Sequence, residues 1–495
     1  MKLKKLKNPA QIVCILILCL GCYTVSAQPI RVNPVNPHYL EYKGKPILIV
    51  SSGEHYGSVI NPAFDYIKYL NTMQKDGMNY TRLFTGSMYW EIEGDFGISS
   101  NTLAPARGTA LAPWKRSEVA GNANGGAKFD FDQWDEAYFT RFKSFVEEAQ
   151  KRDVIVEVTL FTSIYSDSSW IYCPANPQNN INNIVISDYK KVHTLGNGNL
   201  LPYQEKYVKR IVTELNAYDN VIYEIQNEPW ADQPVGKNKP NFWQKLVPEN
   251  WEARIDIPSD ASIQWQSHIA KLITDTEKTL NKKHLIAQCY CNFLYPVEDV
   301  IPSASIINFH YDWSEAVTLN YGLNKVIGFD ESGFAGSDDD TYRQQAWVFL
   351  MSGGGLFNNL DYSFYIGYED GTLNQKAPGG GSPLLRKQLL ILRKFFEALD
   401  FVHFSPDKDV IALCPGAYSY AISNRKDQFA IYLTGGIAKT LHLNLSAGAY
   451  RVQWLNPANG TIINEKTIQA QTPVTVIAMP DYSTDITLLL TKINK

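Results

Sequence analysis

Cysteine is scarce in this chain of 495 residues, with seven in all and three of them inside the first 27 positions. The remaining four, Cys173, Cys289, Cys291 and Cys414, are too sparse for a disulfide-built scaffold. Cys289 and Cys291 lie two apart on an expected strand and with Cys173 mimic a metal site, but no fourth ligand of suitable spacing appears. Buried small hydrophobes, or one disulfide, is the expectation. Excess positive charge is also lacking. Forty-six Lys and Arg stand against 50 Asp and Glu, a net charge of −4. That balance argues against nucleic acid or an anionic membrane as partner. Beyond the N-terminus no apolar run is long enough to cross a bilayer.

What the N-terminus does contain is distinctive. Lys2, Lys4, Lys5 and Lys7 precede an apolar run from Ile12 to Leu20, and Val25-Ser26-Ala27 supplies the small residues of a cleavage site. Residues 1–27 therefore read as a secretory signal peptide, with the mature chain starting at Gln28. Loss of the four lysines takes the net charge from −4 to −8. Leu20-Gly21-Cys22 partly resembles a lipobox and offers the alternative of lipid attachment at Cys22. The expected location is secreted or periplasmic, or tethered to the outer membrane through Cys22. The mature length exceeds what one core usually supports, so two domains are expected.

The first covers 28–404. Residues 30–44 read as a short strand pair with a turn at Lys43-Gly44. From Lys45 strands and helices alternate. Expected strands are Ile47–Ser51, Asn79–Leu83, Val154–Leu160, Val221–Gln226, His284–Gln288, Ile306–Phe309, Val326–Asp330 and Gly355–Asn358. Eight strands, each followed by a helix, predict an α/β fold of the (β/α)8 (TIM) barrel type. Long polar stretches at 85–128, 161–201 and 229–260 follow strands and would wall a cleft on the catalytic face. From 405 to 495 short alternating segments split by turns predict an all-β sandwich.

The chemistry sits at strand ends. Val221-Ile222-Tyr223-Glu224-Ile225-Gln226 is a buried-strand pattern that must stop at Pro229, delivering Asn227 and Glu228 to the carboxyl end. Val326–Asp330 likewise runs into Glu331. Breaking a glycosidic bond needs an acid for the departing oxygen and a base or nucleophile opposite, about 5 Å away in a retaining enzyme. Glu228 and Glu331, on the fourth and seventh strands, are the candidate pair. By period two Glu331 shares its face with Phe329 and Ile327, with Asp330 turned away. Glu224 lies deeper and reads as structural. Arg82 and Tyr311 are placed to orient the nucleophile carboxylate, His310 to contact the sugar or Tyr311, and Glu54, His55, Asn359 and Asp361 to read sugar hydroxyls. Aromatics crowd the same loops, with Trp90, Trp230 and Trp313 the candidate stacking platforms among Tyr89, Tyr165, Trp170, Tyr362 and Phe364. Asp338-Asp339-Asp340 looks like a cation site but precedes a helix, where capping explains it.

At these residues the chain resembles a clan A retaining glycoside hydrolase, in the style of the family 5 cellulases. The matching elements are Arg82, Asn227-Glu228-Pro229, His310-Tyr311 and Glu331, within 45–400. The tail resembles the sandwich of secreted bacterial hydrolases called a collagen-binding domain. Two features depart from family 5: the strand-six His and Tyr are adjacent rather than separated by one residue, and the strand-eight tryptophan is missing. The resemblance implies Glu228 as acid/base, Glu331 as nucleophile, Asn227 on the sugar 2-hydroxyl, and Arg82 and Tyr311 positioning Glu331. The expected protein is a monomer that cleaves a β-linked poly- or oligosaccharide with no metal or organic cofactor. A non-catalytic carbohydrate-binding protein on a degenerate barrel, and an adhesion protein acting through the sandwich, are the rival readings.

Overall fold

The structure, a computed structural model, describes residues 28–186, 188–232, 239–240, 254–292, 295–311, 314–471 and 473–493. The signal-type stretch 1–27 with Cys22, and Trp313, lie outside the described residues. Eight parallel strands form the central sheet: Ile49–Gly53 (β1), Tyr80–Phe84 (β2), Ile155–Thr162 (β3), Val221–Asn227 (β4), Leu285–Asn292 (β5), Ile306–His310 (β6), Val326–Ser332 (β7) and Leu356–Leu360 (β8). Ladders run in chain order from β2 round to β8, and β8 pairs with β1. Between β1 and β2 the ring is joined by side chains. Asn79 accepts from the Val50 amide at 3.1 Å and donates to the Leu48 carbonyl at 2.9 Å. Ser51 donates to the Tyr80 carbonyl at 2.5 Å.

Around this sheet pack Tyr66–Asp76 (α1), Glu136–Lys151 (α2), Leu201–Leu215 (α3), Asp260–Glu277 (α4), Ser314–Asn320 (α5), Asp339–Met351 (α6) and Pro383–Glu397 (α7). Their starts are written in the sequence. Asp135 caps α2 by accepting from the amides of Ala137 and Tyr138, and the helix buries Tyr138, Phe142, Phe145 and Ala149 on one stripe. Ser382 caps α7, with Pro383 in its first turn. Asp338 caps α6, so the acidic triplet is a helix start, as expected. The expectation of a helix after every strand fails once. Among the described residues between β5 and β6 the chain is irregular, and Gln288 of β5 replaces a helix as its anchor. The Gln288 amide donates to the Asp299 carbonyl at 3.1 Å and accepts from the Ile301 amide at 2.9 Å.

Every barrel strand contributes one residue to a floor inside the ring: Ile49, Tyr80, Ile155, Ile222, Ala287, Ile306, Val326 and Leu356. The expected N-terminal strand pair is a three-stranded antiparallel sheet, and its Leu40 and Tyr42 close that floor from below. Water is therefore excluded from one end of the barrel, and chemistry is confined to the other.

From Ser405 onward all pairing is antiparallel, in a six-stranded and a three-stranded sheet. Trp454, Ile431, Leu488, Leu441 and Leu443 are buried between them. This sandwich is fastened to α6. Arg343, with no exposed surface, donates to both Asp485 oxygens at 3.0 and 3.1 Å, and Tyr432 donates to the same carboxylate at 2.8 Å. Beside them Trp347 and Tyr432 stack with centroids 5.2 Å apart. Among the described residues Cys173, Cys289, Cys291 and Cys414 form no disulfide, and Cys289 and Cys291 do not share a simple strand face, because the β5–β6 register shifts between them. Arg343→Ala strands the Asp485 carboxylate in a buried seam and is expected to cost about 3–5 kcal/mol. Urea unfolding of the full chain checks this; a loss below about 1 kcal/mol would show that the seam is wet.

Candidate active site

Glu228 and Glu331 emerge side by side at the open end. The chain bends sharply at the ends of β4 and β6. Glu228, immediately before Pro229, has φ +47° and Tyr311 has φ +52°. Such left-handed conformations are costly for side chains of this size and concentrate at functional sites. Ser163 holds the Glu228 bend, its hydroxyl donating to the Glu228 carbonyl at 2.7 Å and its amide to the Asn227 carbonyl. A carboxylate oxygen of Glu228, one of Glu331 and a His310 ring nitrogen all lie within 4.8 Å of one another.

Glu331 accepts three hydrogen bonds. Arg82 donates to Oε2 at 2.9 Å, Tyr56 to Oε2 at 3.0 Å and Tyr311 to Oε1 at 2.7 Å. Glu228 Oε1 lies 3.0 Å from His310 Nδ1, and His310 Nε2 lies 3.5 Å from Asp330 Oδ1 and 3.4 Å from Cys289 Sγ. Burial opposes the charge on Glu228, but hydrogen bonding and charge from His310, with Tyr165 and Arg82, hold its carboxyl below the usual range. Burial likewise disfavours a charged His310, yet Cys289, Glu331 and Asp330 outweigh it and raise the imidazole well above its ordinary value. Glu228 and His310 therefore titrate as a pair that carries one proton between them.

Beneath the pair, Arg82 bonds Glu224 through Nε at 3.0 Å and Nη2 at 2.5 Å, reaches Asp330 at 3.2 Å and donates to Asn227 Oδ1 at 2.6 Å. The expected alternation on β7 fails here. The strand bulges after Phe329, so Phe329 packs outward on Phe349 while Asp330 and Glu331 both reach Arg82. Three buried carboxyls crowd this guanidinium. Burial pushes Glu224 up to about 7 against the pull of Arg82, and burial with Glu224 and Asp330 raises Glu157 well above the carboxylate range. Asp330 stays ionised because Arg82 and His310 overcome its burial. Glu228, His310 and Glu331 have metal-ligand spacing, but the Arg82 charge donated into Glu331 opposes a second cation there.

Several expected hydroxyl-readers prove to be internal. Glu54 has no exposed surface, and its oxygens are filled by the amides of Gly57 and Ser58 and the hydroxyls of Ser58 and Thr102. Asp361 is used by Arg386, Ser52 and Ser363, and Asn359 by Ser332, Ser52 and the Leu360 carbonyl. These three fasten β1, β8 and α7 together and do not line the site. His310 is also fully buried and contacts Glu228 rather than lining a surface. Phe364 packs on Tyr69 and Arg386. Trp230 stays at the rim, its ring edge-on to His310 at 5.7 Å. Trp90 is largely buried against Phe129.

Three contributors were not read from the sequence as site residues. Tyr56 follows His55 and differs from other loop tyrosines only in its place. Tyr165, counted there only among the aromatics, accepts from Asn227 Nδ2 at 2.8 Å. Glu91 lies in the loop after β2 with no motif around it, yet its carboxyl faces His55 Nε2 at 3.7 Å and is raised well above the usual range by burial and by Asp95, Glu331 and Glu228.

A closed-floored (β/α)8 barrel with two neighbouring carboxyls at its open rim has the arrangement of a glycoside hydrolase. Within that class, residues 42–286 match the model of the family described as Cellulase (glycosyl hydrolase family 5). A Bacteroides vulgatus structure provisionally described as a glycoside hydrolase superposes with a TM-score of 0.65 at 14% identity, over 95% of this chain and 83% of its own. A family 5 glycoside hydrolase of the same species gives 0.58 at 11% identity, over 94% and 93%. A search of curated proteins returned no match.

Burial and the nearby Arg82 charge press His55 down to about 3, so it is neutral in the fold. The unfolded chain binds a proton there between pH 6.5 and about 3, so this contribution is complete above 6.5 and is lost as pH falls. The stability difference between pH 7 and pH 5 is expected to shrink by roughly 2 kcal/mol in His55→Gln. Urea titrations at the two pH values check it; an unchanged difference would mean that His55 is hydrated.

Proposed function

We propose that the protein is a secreted, retaining β-glycoside hydrolase that cleaves a β-linked poly- or oligosaccharide by double displacement. Glu331 is the nucleophile and Glu228 the acid/base. The observation that carries this reading is that one oxygen of the Glu228 carboxyl lies within 4.8 Å of one oxygen of Glu331. A retaining pair sits about 5–5.5 Å apart, whereas an inverting pair is spread to about 6.5–9.5 Å to admit water. The polarity of the two sites supports the division of roles. Glu331 accepts from three donors and faces the anomeric carbon as the attacking group. Glu228 shares a proton with His310 and can both give one to the departing oxygen and later take one from water.

Arg82, Tyr56 and Tyr311 hold Glu331 in attack geometry. Asn227, engaged by Arg82 and Tyr165, keeps one amide N–H for the sugar 2-hydroxyl. The export reading rests on the signal-type residues 1–27. The sandwich, likened above to a collagen-binding domain, is read as a support for the barrel because of its buried Arg343–Asp485 seam. A non-catalytic barrel is disfavoured by an intact carboxyl pair with every positioning partner in place.

Glu331→Gln is expected to lower kcat on the order of 10⁴-fold or more. Azide should restore turnover to Glu331→Ala on an activated aryl β-glycoside, with inversion at the anomeric carbon. An enzyme with demonstrated glycan cleavage that keeps most of its rate in Glu331→Gln would refute the nucleophile. His310→Asn removes the cation that shares the proton, so the basic limb of the kcat/KM profile should move to lower pH. A pH–rate series measures it; a limb that stays put assigns the proton to another group.

A further inference from the structure

Glu228 and Glu331 are aimed in different ways. Three donors grip the Glu331 carboxylate directly. The aim of Glu228 depends on its left-handed backbone, at φ +47°, a conformation that persists only where the surroundings enforce it. Its carbonyl accepts from the Ser163 hydroxyl at 2.7 Å and from the Ala231 amide at 2.9 Å. The second bond closes a tight turn from Glu228 to Ala231, and the next residue is Asp232.

Asp232 has no exposed surface, and neither has its partner His193, which comes from the segment between β3 and α3. Their side chains meet through His193 Nδ1 and Asp232 Oδ2. Gln226, two residues before Glu228 on β4, donates to the same Asp232 oxygen at 3.3 Å and to Ser163 Oγ at 3.0 Å. The strained residue is thus enclosed by bonds, from Gln226 through Ser163 to its carbonyl on one side and from Gln226 to Asp232 on the other. His193 fixes this enclosure to the scaffold. The Val192 carbonyl beside it accepts from Gln204 of α3 and from Asn197, each at 3.0 Å. The imidazole lies edge-on to Phe161 of β3 and Trp265 of α4, with centroids 5.8 and 4.9 Å away, and Trp265 donates to Gln204 at 3.1 Å. A buried histidine–carboxylate pair adds little stability over apolar side chains of the same size. What it adds is direction, because a hydrogen bond fixes an angle that packing alone does not.

We propose that His193 and Asp232 are positioning residues for the acid/base, holding the turn after Glu228 so that its carboxyl stays in line with the departing oxygen. The inference rests on the assignment of Glu228 above. Both residues are fully buried and act through Glu228 rather than on the sugar. A misaligned Glu228 transfers its proton poorly while Glu331 still attacks. The loss then falls on leaving groups that need a proton and spares those that depart as stable anions. A general loosening of the fold would slow every leaving group alike.

The test uses phenyl, 4-nitrophenyl and 2,4-dinitrophenyl β-glycosides of cellobiose, mannobiose and xylobiose, read on the sugar that wild type cleaves fastest. Glu228→Ala is the reference. Its kcat/KM should fall about 10²–10⁴-fold on the phenyl glycoside and stay within about threefold on the dinitrophenyl one. His193→Phe should show the same grading at smaller amplitude, with a loss of about 10–100-fold on the phenyl glycoside and less than about threefold on the dinitrophenyl one. Azide should raise kcat of His193→Phe on the dinitrophenyl substrate and give a glycosyl azide of retained configuration, because the base that activates water is displaced too. His193→Asn, whose amide can replace Nδ1, should recover most of the loss. Asp232→Asn keeps the shape of the pair and should grade the leaving groups in the same order; combined with His193→Phe it should cost no more than His193→Phe alone. If His193→Phe does not fold, Asp232→Asn decides. Equal losses on every leaving group, or none, overturn the positioning role and leave Glu228 as the acid/base. A Glu228→Ala enzyme without the grading overturns that assignment itself.

Discussion

One buried guanidinium organises this molecule. Arg82 rises from β2 into a ring interior that carries Glu157, Glu224 and Asp330 on three other strands, and it reaches Glu331 and Asn227 at the rim. Taking so many carboxyls out of water without a counter-charge would be prohibitive. The arrangement succeeds because the acids do not all ionise. Glu157 keeps its proton, bonded by Tyr80 at 3.0 Å and Asn308 at 2.7 Å. Asp330 carries charge next to Arg82, and Glu331 presents its oxygens to three donors. The rings of Tyr56 and Phe84 cover the cation at 4.8 and 5.4 Å, so little solvent competes with these bonds.

That core of charge explains why the strand ends look as they do. A regular β7 would send Asp330 and Glu331 to opposite faces, and Arg82 could serve only one of them. The bulge after Phe329 lets both converge while Phe329 keeps its place in the helix layer. Left-handed backbone at Glu228 and Tyr311 does the same for the fourth and sixth strands. Each distortion costs conformational energy, and each is held by a specific bond, such as that from Ser163 to the Glu228 carbonyl.

The sequence was most legible where a residue type leaves few options. Pro229 ended β4 and placed Glu228; Ser382 and Asp338 announced their helices; the alternation of apolar strand runs with helical patterns marked all eight strands to within a few positions. Arg82 and Tyr311 were found because the one lies towards the end of a barrel strand and the other directly follows one, and both carry the right chemistry. Period-two reasoning misplaced Asp330, since a bulge leaves no signature in Gly328-Phe329-Asp330-Glu331. Glu54, Asn359 and Asp361 were drawn into the site by their position, but polar residues at strand ends can serve neighbouring loops equally well. Tyr56 and Glu91 were passed over because a loop residue reveals its direction only when the loops have folded against one another.

The joint between β1 and β2 has a thermal consequence. Seven of the eight strand contacts are ladders, while this one hangs on the amide of Asn79 and the hydroxyl of Ser51, with a single backbone bond from Phe84 to Tyr56 above them. On warming, the cylinder should part first along this clasp. Tyr56 and Arg82 stand on its two lips, so the gap would carry two of the three donors away from Glu331. Inactivation would then precede unfolding, with the ceiling on working temperature set by one asparagine rather than by the size of the core.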